Sequence, residues 1–431
     1  MINRARWQSS HPNNVAVPVF KDNSTAGRTS LSTELKSPDS AGLWTADFAI
    51  EAGASYRIMA EAHVTDSSDV FNDAGVVVTW KKTVALETQI QREYIDPEIS
   101  GGKLILFSSV LTAPENAKFA EIRLFVKWRK MKVEWRNIGI KKVKAQAPRP
   151  VRIVTTKVIP ANSPSTVEEN IRQAGALLER IRKEVKNPDL ILFPENMLDR
   201  CVRSPLEEKG ETIPGAFTKY LSAWARRLNC NIATTIHEKA KGRYHNTAFI
   251  LDRKGRIAGK YRKVHLTLSE METGILPGNE FTVFDLDFGK VGFTTCWDNW
   301  FCESSRILRL KGAEMILFPL AGDGDFNHLE HMWPTRAMDN GLPLVVSVWQ
   351  GDPKRPVPSR IYDGTGKILA ETTESLGYAE ALVDLNKKHR TYWLSVGPSL
   401  GEGRSLYVRE RRPEIYVKNM KDWAGTHGDL Q

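Results

Sequence analysis

Cysteine is scarce in this chain, and long apolar runs are absent from it. Its 431 residues include only four cysteines: Cys201, Cys230, Cys296 and Cys302. No two of them have C-x-x-C spacing, which disfavours a zinc ribbon or a thioredoxin-like motif. No apolar run approaches the roughly 18–20 residues of a membrane span, and none follows the first residues as in a secretory signal. We therefore expect reduced thiols, a cytoplasmic location and no membrane segment.

The rest of the composition is that of an ordinary folded protein. Hydrophobic residues make up 41% and charged residues 26%, which excludes a disordered or fibrous chain. The length predicts two or three domains. The formal net charge is +10, which allows an acidic partner.

The sequence pattern changes near residue 148, which predicts a domain boundary there. The first 40 or so residues are rich in Ser, Asn, Pro and Thr and are expected to be irregular. Short apolar runs separated by turn signals then follow without a helix pattern, so residues 1–148 are predicted to form an all-β sandwich. Their late strands resemble those of jelly-roll domains of the carbohydrate-binding-module type in residue pattern, without a specific motif. Residues 147–150 (APRP) are predicted to be a linker.

Residues 149–398 have a different pattern, in which strands alternate with helices. Thr166 and Glu169 have the spacing of a capping box, which predicts a helix over Ser165–Glu184. This alternation predicts an α/β domain. Residues 399–431 are expected to be a C-terminal extension that packs on this second domain or in an oligomer.

Three segments of the second domain carry residues suited to catalysis. Glu195 follows an apolar strand, Lys263 lies in a basic segment, and the strand Val291–Thr295 leads directly into Cys296. A cysteine between a strand and a helix gains from the helix dipole and from exposed backbone N–H groups. A nearby carboxylate can take its proton, and a lysine can stabilise the thiolate and an oxyanion. Taken singly, a solvated glutamate, a surface lysine and a core cysteine are the ordinary interpretations, so these roles require the fold to bring the three residues together.

With their neighbours, these segments resemble the nitrilase superfamily of carbon–nitrogen hydrolases over Val151–Pro398. The matching segments are FPE (193–195), YRKVHL (261–266), LPGNEF (276–281), GFTTCWDNWFCE (292–303), KGAEMILFP (311–319) and RAMDNGLPLVVSV (336–348). The resemblance implies a four-layer αββα sandwich. It also implies pairing through helices into a homo-oligomer.

The resemblance also implies roles for individual residues. Glu195 would be the general base, Lys263 the transition-state stabiliser and Cys296 the nucleophile. The family uses a second glutamate between the lysine and cysteine motifs, for which we favour Glu270 over Glu272. No cofactor and no metal are implied.

Residues next to the nucleophile motif are candidates for shaping the site. Trp297 is expected to lend its backbone N–H to an oxyanion hole, with its indole as a pocket wall. Asp298 and Trp300 are candidates for the substrate pocket, with packing as the alternative. Cys302 is either a second reactive thiol or, as we favour, a small residue at the start of a helix.

The details of the motifs favour one branch of the family. Nitrile-cleaving members usually have CWE at the nucleophile and Pro-Thr after the lysine motif, whereas this chain has CWD (296–298) and VHL (264–266). CWDNWFCE is similar to CWDQWFPE of carbamoylputrescine amidases, without identifying the substrate. We therefore predict hydrolysis of a small-molecule amide or N-carbamoyl substrate through a cysteine thioester, with release of ammonia or an amine. The alternatives are an acyltransferase that uses the same thioester and a non-catalytic binding or scaffold protein.

Other candidate residues point to weaker alternatives. His328 and His331 are three residues apart without a third ligand, which disfavours a metal site, although either can touch substrate. Arg306 is a candidate for a clamp on a substrate carboxylate.

The charge excess lies mainly on the last strands of the β domain. Residues 118–149 contain 11 basic and 2 acidic residues. The cations of these strands are Lys127, Arg129, Lys130, Lys132, Arg136, Lys141, Lys142 and Lys144. A glycan or another acidic ligand is one interpretation, but we favour a solvated or domain-facing surface and tryptophans that pack in the core. Nucleic acid is disfavoured.

Overall fold

The computed structural model describes residues 6–65, 73–99, 103–322, 328–350, 357–393 and 399–426. The chain divides into two compact units. The first comprises residues 1–147 and 388–431, and the second comprises residues 148–387. The first boundary therefore falls inside the expected linker. The second domain's expected end at Pro398 lies outside the described residues, and the chain already returns to the first unit at Lys388.

Strands make up most of the regular structure. They are β1 (Gln8–Ser10), β2 (Val19–Asp22), β3 (Ser30–Leu35), β4 (Ala41–Ala49), β5 (Ser55–Val64), β6 (Ala74–Lys81), β7 (Gln89–Ile95), β8 (Pro97–Ile99), β9 (Leu104–Thr112), β10 (Phe119–Lys127), β11 (Met131–Val143), β12 (Pro150–Val158), β13 (Leu190–Leu192), β14 (Asn231–Ala240), β15 (Arg243–Leu251), β16 (Ile257–Arg262), β17 (Val283–Leu286), β18 (Gly289–Phe293), β19 (Met315–Leu320), β20 (Leu344–Val348), β21 (Ser359–Tyr362), β22 (Ile368–Thr372), β23 (Leu376–Asp384), β24 (Arg390–Trp393) and β25 (Ser399–Glu402).

The helices lie mainly in the second unit. They are α1 (Val167–Glu184), α2 (Leu206–Lys209), α3 (Ala216–Leu228), α4 (Leu268–Glu272), α5 (Cys302–Leu310), α6 (Trp333–Met338), α7 (Gly403–Arg409) and α8 (Pro413–Thr426). A 3-10 turn covers Cys296–Trp300 and a π-helical turn covers His328–Met332. None of the helices in the described ranges is long and apolar enough to cross a membrane.

The first unit is a sandwich of two sheets. One sheet has the order β1-β4-β10-β6-β7-β25-β24, and the other has the order β2-β3-β11-β5-β9-β8. Successive strands from β3 to β6 alternate between the two sheets, a connection pattern that jelly rolls also have. Their inward-facing side chains form one apolar core.

Most tryptophans of the first unit serve this core. Trp44, Trp80 and Trp135 are buried, and Trp7 packs against the same cluster. Trp128 differs, because 46% of it is exposed. Core packing therefore accounts for four of the five tryptophans.

The expectation of an irregular N-terminal stretch is wrong, because this stretch contains strands β1, β2 and β3. Leu31 and Leu35 of β3 lie in the core, and β3 pairs with β11 from Ser30 to Leu35. Leu31, Thr33 and Leu35 share one face, since side chains alternate along a strand. The serines and threonines between the leucines weakened the apolar signal, although threonine is well suited to strands.

The C-terminal segment completes the first unit rather than the second. Strand β25 pairs in parallel with β7, where Leu400 lies opposite Gln91. Arg409 of α7 donates to the carbonyl of Ala74 at 3.0 Å, and Leu406 joins an apolar cluster on the outer face of the sheet. The expectation that residues 399–431 pack on the second domain is therefore not met, because this sheet presents apolar side chains that the segment covers.

The second unit is built on twelve hydrogen-bonded strands. Nine of them have the order β16-β15-β14-β13-β12-β20-β19-β18-β17, with β21 on β20, β22 on β21 and β23 on β12. The pairs among β14, β13, β12, β20, β19 and β18 are parallel. Their strands are apolar in continuous runs, as expected for strands covered on both faces.

Helices cover the two faces of this strand network. Ile191 and Phe193 cluster with residues of α1 and α3, whereas Leu190 and Leu192 belong to a second cluster that includes α5 and α6. The capping box predicted for α1 is confirmed: the Thr166 side chain accepts from the N–H of Glu169, whose side chain accepts from the N–H of Thr166.

The two ends of the strand order lie against each other. A Cβ atom at Gly259 of β16 would fall 2.0 Å from Cδ1 of Phe284 of β17. The strand network therefore folds back on itself, and only glycine permits this close approach. As a result, loops that follow distant strands can meet in one place.

Candidate active site

Glu195 lies three residues beyond the end of β13, and its carboxylate is held on both oxygens. The residue is 2% exposed. Its Oε1 accepts from Lys263 Nζ at 3.2 Å and from Asn246 Nδ2 at 2.7 Å. Its Oε2 accepts from the backbone N–H of Ala321, directly after β19, at 2.8 Å. These bonds fix the orientation of the carboxylate.

Lys263 follows β16 directly and is 1% exposed. Its backbone N–H donates to the carbonyl of Asn246 at 2.8 Å, and its Nζ donates to Glu195 and to Glu270 Oε2, the latter at 2.8 Å. Burial favours the neutral amine, but the facing acidic groups outweigh it, with Glu195 the strongest. They hold the pKa of Lys263 well above its ordinary value. The side chain is therefore a permanent cation at neutral pH.

Glu270, rather than Glu272, belongs to this network. It lies on α4, where its Oε2 accepts from the backbone N–H of Thr267 at 2.9 Å in a capping box. Burial opposes the charge of Glu270, but Lys263 outweighs it and lowers the pKa of the carboxyl. Glu272, the last residue of the same helix, is exposed.

Asn246 joins the two glutamates and was missed by sequence reasoning. The residue is 1% exposed, lies on β15, and donates through Nδ2 to Glu195 Oε1 at 2.7 Å and to Glu270 Oε1 at 2.8 Å. One amide group therefore bridges two carboxylates. Its only signal in the sequence is a polar residue just before the buried run Thr247–Leu251.

Cys296 is placed by the turn that follows β18. Its φ of 46° lies in the left-handed region, which is unfavourable for a side chain other than glycine and is often found at functional sites. The residue is partly buried and packs against the core of the unit. Since β13, β18 and β19 run parallel, the segments that carry Glu195, Cys296 and Ala321 leave the sheet at the same edge.

The surroundings of Cys296 favour the protonated thiol. Burial raises the pKa of the thiol, Glu195 raises it further by charge and by a hydrogen bond, and Lys263 opposes this effect. The thiol therefore stays protonated at neutral pH, and its activation requires a base. Glu195 is a carboxylate within hydrogen-bonding reach of this thiol.

Asp298 links two segments of the site through hydrogen bonds. It is fully buried. Its Oδ2 accepts from the Tyr261 hydroxyl at 2.7 Å, and its Oδ1 accepts from the backbone N–H of His265 at 2.9 Å. These bonds tie the segment that carries Lys263 to the turn that carries Cys296. The packing alternative stated for Asp298 is the one that the geometry supports.

Trp297 and Trp300 form an aromatic group beside the cysteine turn. Their ring centroids are 4.5 Å apart, and the Trp300 centroid is 3.7 Å from that of His328. His328 and His331 share the π-helical turn. Across the described ranges, no group of three or more His, Cys, Asp or Glu side chains is arranged to hold a metal ion.

Cys302 and Arg306 lie on α5, away from the carboxylate network. Cys302 is the exposed first residue of the helix. Burial and the adjacent Glu303 raise the pKa of its thiol, which favours the helix-start role over a reactive thiolate. Arg306 donates to the carbonyl of Asp339.

A cavity of about 600 Å³ opens beside Glu270. Asn196, Lys209, His237 and Tyr244 contribute to its wall. Its lining combines apolar surface with charged side chains of both signs, Lys209 and Glu270 among them. Of the network described above, Glu270 is the residue that lines this cavity.

Comparisons with known proteins agree with this architecture. A crystal structure of a carbon-nitrogen hydrolase from Helicobacter pylori G27 superposes with a TM-score of 0.52 at 24% identity, over 63% of this chain and 99% of that one. The predicted αββα fold of the second unit is thereby confirmed.

Sequence comparison gives the family. Nitrilase homolog 2 of Dictyostelium discoideum is 31% identical over 247 residues, 52% of this chain and 73% of that protein. The omega-amidase NIT2 of Bos taurus is 29% identical over 250 residues, 52% of this chain and 86% of that protein. The model of the carbon-nitrogen hydrolase family matches residues 154–390. This chain therefore belongs to the carbon-nitrogen hydrolase family.

Proposed function

We propose that the second unit hydrolyses the amide or N-carbamoyl bond of a small molecule through a thioester on Cys296. The observation that carries the proposal is the buried network in which Lys263 and Asn246 hold Glu195 and Glu270. Such a cluster of buried charges is costly to fold and is typical of catalytic sites. Omega-amidases among the similar proteins support the same class of reaction.

In the first half-reaction Glu195 takes the proton of the Cys296 thiol. The sulfur attacks the carbonyl carbon of the substrate, and the carbonyl electrons move to the oxygen. The Lys263 ammonium and the backbone N–H of Trp297 stabilise this oxyanion. The oxyanion then collapses, the carbon–nitrogen bond breaks, and the nitrogen takes the proton from Glu195 and leaves as ammonia or an amine.

In the second half-reaction water releases the acyl group. Glu195 takes a proton from water, and the resulting hydroxide attacks the thioester carbon. When the carbon–sulfur bond breaks, the sulfur regains the proton. Glu270, held by Asn246 and Lys263, positions the substrate and the attacking water.

The test uses a panel of small amides and N-carbamoyl amines with the full chain. We expect ammonia release from at least one substrate and a thioester on Cys296, seen by mass spectrometry after acid quenching. Cys296→Ser should abolish both signals, whereas Cys302→Ser is the matched control and should retain them.

The same experiment separates the alternatives. If no substrate acylates Cys296, the hydrolase proposal fails and a scaffold role is favoured. If an added amine captures the acyl group in preference to water, the chain is an acyltransferase. Sedimentation of the purified chain tests the homo-oligomer that we propose with this activity.

A further inference from the structure

His237 lies beside the buried carboxylate network, on the same sheet. Side chains alternate along a strand, so Thr235 and His237 share one face of β14. The Thr235 hydroxyl accepts from the backbone N–H of Asn196, directly after Glu195, at 2.7 Å. His237 itself lies opposite Asn246 of β15, and the Cβ atoms of such a pair are about 5 Å apart. His237 is therefore a neighbour of the amide that bridges the two carboxylates.

The imidazole of His237 is fixed through one of its nitrogens. Nδ1 is hydrogen-bonded to Oδ2 of Asp199, whose side chain is fully buried. An ionised carboxylate accepts hydrogen bonds and cannot donate them, so Nδ1 carries the hydrogen. Lys209 Nζ lies 3.9 Å from the same carboxylate oxygen. The buried aspartate therefore sets the orientation and the tautomer of the ring.

The second ring nitrogen of His237 is left for a bound molecule. The residue lines the cavity beside Glu270, and 12% of its side chain is exposed. In the described part of the chain, the bond to Asp199 is the one hydrogen bond that the ring makes. With a hydrogen on Nδ1, a neutral imidazole accepts at Nε2, and a protonated imidazole donates there. A polar group of a ligand can therefore pair with Nε2.

The charged side chains of the cavity mostly face opposite charges already. Lys209 faces Asp199, and Glu270 faces Lys263 with an Oε2–Nζ distance of 2.8 Å. Glu207, the other carboxylate of the lining, is exposed, where water screens its charge. The uncharged hydrogen-bonding side chains of the lining are those of Asn196, Ser204, Tyr244, Ser269 and Thr273. A neutral polar group therefore suits this cavity better than a charged one.

We propose that this cavity binds the end of the substrate remote from the reacting amide, and that His237 recognises a hydroxyl group there. A hydroxyl both donates and accepts, so it pairs with Nε2 whether the imidazole is neutral or protonated. An alkyl end would leave Nε2 without a partner, which costs free energy. His237 is then a specificity residue, and Asp199 is its positioning residue.

This inference rests on the proposed hydrolysis at Cys296 and names its substrate class. The substrates are small amides or N-carbamoyl compounds that carry a hydroxyl group at the far end. The cavity of about 600 Å³ leaves room for a short chain between the two ends.

The experiment compares matched pairs of amides. ω-Hydroxy amides of three, four and five carbons are each paired with the amide in which a methyl group replaces the hydroxyl. Binding is measured by NMR titration of the full chain that carries Cys296→Ser, so that it does not depend on turnover, and kcat/KM is measured on wild type. We expect the hydroxy member of at least one pair to bind about 5-fold more tightly, the size of one neutral hydrogen bond.

Variants assign the preference to the histidine. His237→Phe keeps an aromatic ring but removes both nitrogens, so it should bring the ratio of the two dissociation constants close to one. His237→Gln keeps a hydrogen-bonding side chain and should retain part of the preference. His63→Phe is the matched control, because His63 lies on β5 of the first unit, outside the lining. A merely structural role of His237 would weaken both members of a pair equally and leave the ratio unchanged.

Three results would overturn the inference. The first is that no hydroxy amide binds more tightly than its methyl partner, or that none binds at millimolar concentration. The second is that the preference survives in His237→Phe. The third is that amides of the same length with a terminal carboxylate or ammonium bind more tightly than the hydroxy amides.

Failure of the proposed function gives a different result. Wild type would then release no ammonia from any amide, while the hydroxyl preference in binding would remain. Circular dichroism verifies that each variant is folded. The paired ligands test the unmodified histidine, which keeps the experiment decisive if His237→Phe does not fold.

Discussion

Two buried lysines of the second unit have opposite surroundings. Lys263 faces the carboxylates of Glu195 and Glu270, which hold its pKa above the ordinary value. Lys157, on the central strand β12, donates to the carbonyls of Val357 at 2.7 Å and Gln350 at 3.2 Å. Burial lowers its pKa to about 8. Burial alone therefore does not decide the direction of a lysine's pKa shift, since the charge facing the ammonium group can outweigh it.

The largest expected effect is on kcat, and it should differ between variants of Lys263 and Lys157. Lys263→Met should lower kcat by about 10³-fold or more, because it removes the cation proposed to stabilise the oxyanion. It should also destabilise the fold, since two buried carboxylates lose their partner. Lys157→Met should retain most of kcat. Ammonia-release assays on both variants check this prediction. Equal losses of kcat would contradict a role specific to Lys263.

The second prediction concerns stability and pH. For Lys157, the pKa is about 8 in the folded chain and 10.5 in its ordinary state. Below pH 8 the lysine is charged in both the folded and the unfolded states, and burial of the charge costs free energy. Between pH 8 and pH 10.5 the unfolded state binds more protons, so the free energy of unfolding should rise with pH by on the order of 3 kcal/mol.

Lys157→Met isolates that contribution. Urea unfolding of wild type and variant at pH 7, 8, 9 and 10 should show that the stability of wild type relative to the variant increases with pH. A difference that is constant over this range would show that Lys157 does not titrate there.

The third prediction tests the pair of carboxylates, Glu195 and Glu270, that faces Lys263 but not Lys157. Asn246→Ala removes both amide bonds and should lower kcat by about 10- to 100-fold, because Glu195 and Glu270 lose a shared donor. Asn246→Ser, which keeps a hydroxyl donor, should lose less. Steady-state kinetics give kcat and KM, and a change confined to KM would contradict a role in holding the base.

The smallest effect on kcat is expected for a change at Glu272, which is compared with the same change at Glu270. Glu272→Gln should change kcat less than about twofold, because the residue is exposed and surface changes are usually neutral. Glu270→Gln should lower kcat well beyond that, since its charge faces Lys263. Equal kinetics for the two variants would remove Glu270 from the proposed mechanism.

Short motifs in the sequence were enough to predict much of the second unit. The positions of Glu195, Lys263 and Cys296 follow from segments near strand ends, and the capping box at Thr166 marks the start of α1. Local signals of this kind depend only on neighbouring residues. For this reason they can be read without knowing the fold.

The same local signals missed parts of the first unit. The leucines of β3 were hidden among serines and threonines, and their burial depends on pairing with β11, about a hundred residues away. The C-terminal strand β25 likewise owes its place to β7 rather than to its own composition. Long-range pairing leaves little trace in a short stretch of sequence.

The sequence alone was enough to recognise a resemblance to the family and to predict the α/β character of the second unit and the residues suited to nucleophilic chemistry, because motifs and strand patterns are local properties. Only the folded chain showed that Glu270 rather than Glu272 faces Lys263, that Asn246 bridges the two carboxylates, and that Asp298 links the Lys263 segment to the Cys296 turn. These assignments depend on distances between segments that lie far apart along the chain, and the packing of the layers sets those distances.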